Sequence, residues 1–161
     1  MPESLKAFDN IDYQILHMLH EDCWVTVAEM SRRLRINERT TKRRLERLVS
    51  TGACRPAVVV SPDAFGYTTI VDIELHVEQA HYDGAVAFFT GNVAVSYLSA
   101  GWGEMNMLVQ ARFKNSEEMA SFINETIPGL QGVTIVKYEI VPKIYFNTDK
   151  WMPEEGDFKK K

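Results

Sequence analysis

The chain has 161 residues, which is enough for one medium-sized domain or two small ones. Its net charge of −4 and pI near 5.6 argue against a protein coated in nucleic acid. The charge is uneven, because eight basic residues and only two glutamates lie between Arg32 and Arg47. That segment therefore carries +6 and the rest of the chain −10, which favours two domains with nucleic-acid binding confined to one patch.

The first third of the chain shows three helix patterns in succession. Asp9 and Asp12 form a capping-box-like pair before the first helix, Thr26 opens the second, and Asn37 is a good N-cap for the third. Gly52 follows the third pattern, where a helix ends in a left-handed residue. The apolar stripes predict a small helical core made of Ile11, Ile15, Leu16, Leu19, Met30, Leu34, Thr41, Leu45 and Leu48.

The second and third helices, separated by a tight turn, predict a helix-turn-helix that places a basic helix in the major groove of DNA. Arginine and threonine near the start of such a helix reach base edges, whereas lysine and later arginines suit phosphates. The alternative is a solvated basic helix face. We expect Arg39, Thr40 and Arg43 nearest the bases, and Lys42, Arg47 and Arg55 nearer the phosphates, with Arg55 on a wing hairpin spanning Ala53–Val60.

The remaining two thirds alternate between strand and helix patterns. Apolar residues recur at every second position from Val71 to Val77, from Val93 to Tyr97, from Met105 to Phe113 and from Val136 to Ile140. With helix patterns near Phe88 and after Asn115, the order is β-α-β-β-α-β, the ferredoxin-like arrangement. Helices would cover one face of that sheet, and a second copy of the chain is the natural cover for the other.

The chain resembles the Lrp/AsnC family of transcriptional regulators over roughly residues 8–143. No single motif is exclusive to the family, but the order and spacing of the motifs together are specific. The residues that carry the resemblance are Asp9, Asp12, Ile15, Leu16, Arg44, Leu45, Leu48, Gly52, Phe65, Gly66, Gly101, Pro128, Gly129, Gly132 and Val133.

The resemblance implies an α+β protein with an N-terminal winged helix-turn-helix DNA-binding domain (residues 1–61). A ferredoxin-like βαββαβ domain of the RAM/AsnC type (residues 62–146) would bind the effector and mediate oligomerisation. Residues 147–161 would be a C-terminal tail beyond the family core, which we expect to be a flexible arm. Members form homodimers and often tetramers or octamers, bind double-stranded DNA, and take an amino acid or similar small effector between αβ domains. No cofactor is expected.

One departure from the family falls in the hairpin expected to contact the effector. The family pattern Gly-x-Tyr/Phe-Asp here reads Gly101-Trp102-Gly103-Glu104, which puts an ordinary leucine-like ligand in doubt. Two glycines allow close backbone approach to a ligand, and a tryptophan offers a flat apolar surface. The alternative is a hairpin turn whose tryptophan packs across a subunit interface. The candidate effector residues are Gly101, Trp102, Gly103, Glu104 and Asn106.

Enzymatic alternatives find little support in the sequence. It has no phosphate loop, no Gly-x-Ser-x-Gly, no His-Glu-x-x-His and no zinc-ribbon cysteine set. Some relatives of this fold decarboxylate sirohaem, but an anionic tetrapyrrole wants several cations in its pocket, and Arg112 is the only arginine after Arg55. A DNA-independent metabolite sensor is a third interpretation, against which the basic helix speaks. His17 and His20 are more simply surface residues than metal ligands.

Cellular location follows from what the sequence lacks. No run approaches the length needed to span a bilayer, and the first residues have no apolar signal region, which predicts a protein that is not exported by a classical signal. Cys23 and Cys54 have no Cys-x-x-Cys or histidine-rich company and are interpreted as reduced, buried thiols. We therefore expect a cytoplasmic protein with no membrane partner.

Overall fold

The computed structural model describes residues 8–145 and 151–158. The chain divides into two compact units. The helical unit holds the residues up to Val59 together with the C-terminal segment that begins at Phe146, and the αβ unit spans Val60–Tyr145. Among the described residues no helix is both long and apolar enough to cross a bilayer.

Three helices form the helical unit: α1 (Asn10–Glu21), α2 (Val27–Leu34) and α3 (Glu38–Ser50). Their apolar stripes meet as predicted, since Ile15, Met30 and Leu48 are buried in one cluster. Thr41 is also fully buried, and its hydroxyl accepts a 2.8 Å hydrogen bond from the hydroxyl of Ser31. Because both partners are buried, this bond fixes α2 against α3 at their point of contact.

The predicted helix caps are present. The Asp9 carboxylate accepts the backbone N–H groups of Ile11 and Asp12, and the Asp12 carboxylate accepts the N–H of Asp9, which completes the capping box. Asn37 accepts the N–H of Thr40 at 2.8 Å. Each cap satisfies N–H groups that the helix itself leaves unbonded, so the starts of α1 and α3 are fixed by local sequence.

At α2 the N-cap is made by Thr26 alone. Thr26 accepts the backbone N–H of Glu29 at 3.2 Å, but the Glu29 carboxylate pairs with Arg32 and Arg33 instead of returning to the cap. The helix ends at Arg35, whose φ of 54° is left-handed. A non-glycine residue therefore adopts the conformation that the short turn into α3 requires.

A group of ion pairs, here called the α1–α3 network, joins the start of α1 to the second half of α3. Arg44 donates to Asp9 through both Nη atoms (2.9 and 3.0 Å) and to Asp12 through Nη1 (2.9 Å), and Arg47 donates to the other oxygen of Asp12. Asp12 is fully buried. A buried carboxylate is tolerated only when it is paired and hydrogen-bonded, so the two arginines are structural partners of α1.

The predicted wing hairpin is wrong for this chain. Residues 54–61 contain no strand, and Val58, at 90% exposure, and its neighbours Val59 and Val60 lie exposed. A two-stranded hairpin of this length is marginal by itself, and Pro56 removes one backbone donor from the middle of the segment. Arg55 is therefore an exposed residue of a linker, and no wing carries it.

The αβ unit has the predicted βαββαβ order. Its four strands form one antiparallel sheet in the order β2-β3-β1-β4, and the second helix continues into a π-helical turn. The elements are β1 (Thr69–Val77), α4 (Tyr82–Gly91), β2 (Val95–Ala100), β3 (Met107–Phe113), α5 (Ser116–Ser121) with its π turn Phe122–Thr126, and β4 (Val133–Ile140).

The two faces of the sheet differ in chemistry. Ile73 and Val109 point to the helical layer, where they pack in one buried cluster with Phe89. The opposite face is polar, as the alternation of β1 predicts, and there Gln110 donates to Asp72 at 2.8 Å. The core of the αβ unit therefore lies between the sheet and one layer of helices.

The C-terminal tail is more ordered than the expected flexible arm. Glu155–Asp157 form a short 3₁₀ turn, after which Phe158 is buried with its ring 5.1 Å from that of Tyr13 on α1. Residues 146–150 and 159–161 lie outside the described part of the chain. The expectation of a flexible arm is thus wrong for residues 155–158, because burial of the Phe158 ring against Tyr13 removes apolar surface from water.

The expected burial of both cysteines is also wrong. Cys23 is exposed in the turn between α1 and α2, where the chain has already left the helix. Cys54 is half-buried beside the helical core, and this burial raises the pKa of its thiol. Both are free thiols.

The α1–α3 network makes the stability of the helical unit depend on pH. Burial by itself raises the pKa of Asp9, but hydrogen bonds from Arg44 and from the backbone of Asp12 and Ile11 outweigh it and leave the pKa below its ordinary value. The stabilisation is therefore complete above about pH 4 and is lost as the pH falls through the lowered folded-state pKa.

We expect Asp9→Asn to destabilise the protein by about 1–3 kcal/mol at pH 7 and by much less near pH 3, because asparagine still caps the helix but cannot pair with Arg44. Urea unfolding followed by far-ultraviolet circular dichroism at both pH values measures the difference. Glu21→Gln, on the exposed end of α1, is the matched control and should change stability by less than about 0.5 kcal/mol. Equal unfolding midpoints for Asp9→Asn and the unmodified protein at pH 7 would contradict this account.

Candidate nucleic-acid interface and effector loop

The first half of α3 presents a set of cationic side chains to solvent. Arg39, Lys42 and Arg43 are exposed, and Thr40 is half-buried behind the Asn37 cap. The inward positions of the same helix are occupied by Thr41, Leu45 and Leu48, so the cations occupy the faces that the core leaves free. The structure thus brings four of the six predicted DNA-binding residues together on consecutive turns of one helix.

These cationic side chains make few ion pairs with the residues that the structure describes. Neither Arg39 nor Arg43 makes an ion pair with any residue that the structure describes, and Lys42 lies 3.9 Å from Glu46, with both side chains exposed. An exposed pair at that distance contributes little and exchanges easily for another anion. The first half of α3 can therefore offer its positive charge to an external ligand.

Arg47 differs from the other predicted DNA-binding residues. Its guanidinium pairs with Asp12 and lies 5.5 Å above the ring of Phe8, and 44% of its side chain remains exposed. Arg44, which the sequence reasoning did not single out for any contact, is held more tightly by Asp9 and Asp12. The spacing offered a signal, because both the aspartates and the arginines are three residues apart and so share one helical face.

A shallow cavity of about 260 Å³ lies beside this network. It is lined by Asp9, Arg43, Arg44 and Arg47. Because Arg44 and Arg47 also pair with the buried Asp12, three guanidinium groups stand against two carboxylates here, which leaves an excess of one positive charge at the edge of the exposed face of α3. The sixth predicted residue, Arg55, is exposed in the linker and is not part of this cluster.

The second candidate site is the loop between β2 and β3, here called the effector loop (residues 101–106). The Gly101 N–H donates to the Asn106 carbonyl at 2.9 Å and closes the loop. Gly103 has a φ of 116°, a conformation that side chains rarely adopt, and a Cβ on Gly101 would lie 3.1 Å from the Met105 carbonyl oxygen. Trp102 is fully exposed at the tip, so its ring is free to contact a ligand or another subunit.

Asn106 shapes this loop with all of its polar groups. Its side-chain amide accepts the N–H of Val77 and donates to the carbonyl of the same residue, both at 2.8 Å, which reproduces a pair of β-ladder bonds. Its own N–H donates to Leu75 at 3.0 Å, and its carbonyl accepts from the Tyr82 hydroxyl at 3.2 Å. Asn106 therefore positions the loop, and its amide keeps one N–H and one oxygen lone pair for a further partner.

His76 also holds the loop, although the sequence reasoning gave it no role there. Its Nδ1 lies 2.7 Å from the Glu104 carbonyl oxygen, which fixes Nδ1 as the protonated nitrogen because a carbonyl can only accept. The Glu104 carboxylate is left exposed near the tip with Trp102. The alternation in β1 marked His76 as an outward-facing residue but could not show which loop it would meet.

The histidines of α1 have no partners among the described residues that would complete a metal site. His17 lies 3.5 Å from the Glu21 carboxylate, an ordinary exposed pair along α1. In residues 8–145 and 151–158 no three histidine, cysteine or acidic side chains come together in a group suited to a metal ion.

Comparison with known proteins bears on both units. Residues 8–49 match the AsnC-type helix-turn-helix domain. An uncharacterised transcriptional regulator of the helix-turn-helix type from Pyrococcus horikoshii is 29% identical over 89% of this chain and 92% of its own length. The regulator FL11 of Pyrococcus furiosus is 28% identical over 87% of this chain and 93% of its own.

Solved structures show the same fold over nearly the whole chain. A transcriptional regulator from Neisseria meningitidis, crystallised as a complex with L-methionine, superposes with a TM-score of 0.81 at 24% identity and covers 91% of this chain and 97% of its own. The match of the helix-turn-helix, the full-length similarity to curated regulators and the shared two-unit fold agree with one another. Residues 8–49 therefore form an AsnC-type helix-turn-helix domain, and the chain is similar over nearly its whole length to curated transcriptional regulators of the helix-turn-helix type.

Proposed function

We propose that the protein binds specific DNA sequences through the first half of α3, with Arg39, Thr40 and Arg43 nearest the base edges. The observation that supports this proposal is that the two halves of α3 differ in their ion pairs. Its early cations make no strong internal pair with described residues, whereas Arg44 and Arg47 are tied to α1. Arginine donates two parallel hydrogen bonds to guanine, so freely exposed arginines near a helix start suit base recognition.

Lys42, Arg47 and Arg55 would then contact phosphates. For Arg47 the support is its 44% exposed side chain at the cavity lined by Arg43 and Arg44, where one phosphate could meet several N–H donors. Its bond to Asp12 would hold the guanidinium in place during that contact. Phosphate contacts position the protein and supply salt-dependent affinity without reading sequence.

We assign DNA binding to residues 1–61 and self-association to residues 62–146, with the tail as a separate segment. A homodimer would present two α3 helices to two half-sites, and larger assemblies would be tetramers or octamers. The polar open face of the sheet supports this association. The exposed Val58–Val60 segment, whose backbone lacks a strand partner within the described chain, offers a further contact from residues 1–61.

We further propose that an amino acid or another small effector binds at the effector loop, at the interface between αβ domains. The similar regulator from Neisseria meningitidis is a complex with L-methionine. In this chain Trp102 offers apolar surface, Glu104 offers a carboxylate that can pair with an ammonium group, and Gly101 and Gly103 offer accessible backbone. Asn106 and His76 keep that loop in shape.

The proposal makes the protein a binding protein and not an enzyme. Arg112, the cation that a tetrapyrrole-binding pocket would need most, is only 17% exposed and lies 3.8 Å from the Asp63 carboxylate. Absorption spectroscopy with sirohaem tests this directly, because stoichiometric binding by a protein that ignores DNA would favour the enzyme interpretation.

The first test of DNA recognition is selection of bound fragments from sheared genomic DNA by the purified protein. A roughly two-fold symmetric motif is expected. On that site Arg43→Ala should weaken binding by about 5- to 150-fold, with little loss on random duplex, because one bidentate base contact is worth about 1–3 kcal/mol. Fluorescence anisotropy at several salt concentrations measures both affinities.

Two matched variants separate base contacts from general charge effects. Lys42→Ala should weaken cognate and random duplex equally and reduce the magnitude of the salt slope by about 0.9, as loss of one phosphate contact does. Lys114→Ala removes the same charge from the αβ unit and should leave binding unchanged within about twofold. If Arg43→Ala behaves like Lys114→Ala, the assignment of the α3 face is incorrect.

The effector site is tested by thermal shift with the twenty standard amino acids, followed by calorimetry with those that stabilise the protein. Trp102→Ala should weaken the best ligand by about tenfold or more, because it removes a large apolar contact. Trp24→Ala removes an equally exposed tryptophan (87%) from the helical unit and serves as the control. Equal binding by Trp102→Ala, or no binding by any amino acid, rejects the proposed site.

A further inference from the structure

The C-terminal segment makes a defined contact that the family resemblance did not include. Phe158 retains only 8% of its exposure, and its ring meets that of Tyr13 at 5.1 Å and 62°, an edge-to-face geometry. Tyr13 in turn lies 5.8 Å from the ring of His17 one turn further along α1. Edge-to-face pairs are favourable beyond the area that they bury, so this is a specific contact rather than a loose covering.

The turn before Phe158 is built to present it. Glu154 and Asp157 form a capping box in which the Glu154 N–H donates to the Asp157 carboxylate at 3.1 Å. The Asp157 N–H donates back to the Glu154 carbonyl at 3.0 Å, and the Phe158 N–H donates to Glu155 at 3.2 Å. A tail closed by its own hydrogen bonds loses less conformational entropy when its aromatic residue docks.

The N-terminal end of β1 lies beside the C-terminal end of β4. In the αβ unit the last strand pairs beside the first, with Ile140 opposite Val71, and the Val141 N–H donates to Ile70 at 2.9 Å. The linker from α3 enters β1 at Thr69, and the tail leaves β4 after Ile140. Both covalent connections to the helical unit therefore depart from the same end of the sheet.

We propose that residues 151–158 form a strap that docks on α1 through Phe158 and Tyr13, so that the helical unit is held by two connections instead of one. The binding surface is the aromatic row of α1, and its partner is the C-terminal segment of this chain. The docking itself is independent of the proposed DNA contacts.

The test is hydrogen–deuterium exchange of the full chain, read by mass spectrometry on peptides from α1 and from the tail. Phe158→Ala should speed exchange in both peptides by about tenfold, since local protection follows the stability of the docked state. Trp151→Ala, which truncates a 64% exposed aromatic in the same segment, is the matched control and should stay within about twofold of the unmodified protein.

A second variant changes the other partner and leaves the tail sequence intact. Tyr13→Leu keeps an apolar residue on α1 but removes the ring that Phe158 contacts, so exchange in the tail peptide should rise as it does in Phe158→Ala. Unchanged tail exchange in Tyr13→Leu, or unchanged α1 exchange in Phe158→Ala, overturns the strap. Neither result depends on DNA, so failure of the strap and failure of the DNA proposal are distinguishable.

Discussion

The buried carboxylate of Asp12 is the constraint on which the helical unit depends. It is fully buried, and it is tolerated because Arg44 and Arg47 both donate to it and the Asp9 N–H closes the capping box. Breaking such a group by removing one partner costs about 3–5 kcal/mol, since it leaves an uncompensated charge. The position of α3 relative to α1 is therefore fixed by charge pairing at its second half, which leaves its first half free for the proposed contact with DNA.

This constraint changes how the basic segment should be understood. Counted along the sequence, eight basic residues look like one positive patch. In the structure seven of them separate into three groups, and Arg35 caps the end of α2. Arg32 and Arg33 pair with Glu29, and Arg44 and Arg47 pair with the α1 aspartates. Among the described residues, the cations at the start of α3 have only the weak Lys42–Glu46 pair. The charge available to DNA is smaller than the count suggests, and it is concentrated where base edges would lie.

The sequence predicted those features that are encoded locally. Asp9 and Asn37 cap their helices as expected because N-capping involves residues two or three positions apart, and the βαββαβ order follows from periods of two and of about 3.6 residues. The features it missed depend on contacts between distant residues. Asn106 bonds to Val77 across 29 positions and Arg44 to Asp9 across 35, and no periodicity reports such pairs. The prediction of a wing was wrong for a related reason. A strand is stable only when its backbone pairs with another strand, and the local sequence does not show whether that pairing forms.

The size of the helical unit explains why it recruits residues from outside its contiguous sequence. A bundle of roughly fifty residues buries a small fraction of its surface and is correspondingly marginal in stability. Among the residues that the structure describes, its core cluster holds four buried apolar residues, Ile15, Met18, Met30 and Leu48. An ion-pair network between α1 and α3 adds attraction without enlarging that core, and Phe158 adds apolar burial from the far end of the chain. Because these two additions both act on α1, the first half of α3 needs no residues for structural support beyond its inward stripe, and its outward side chains are left for the proposed DNA contacts.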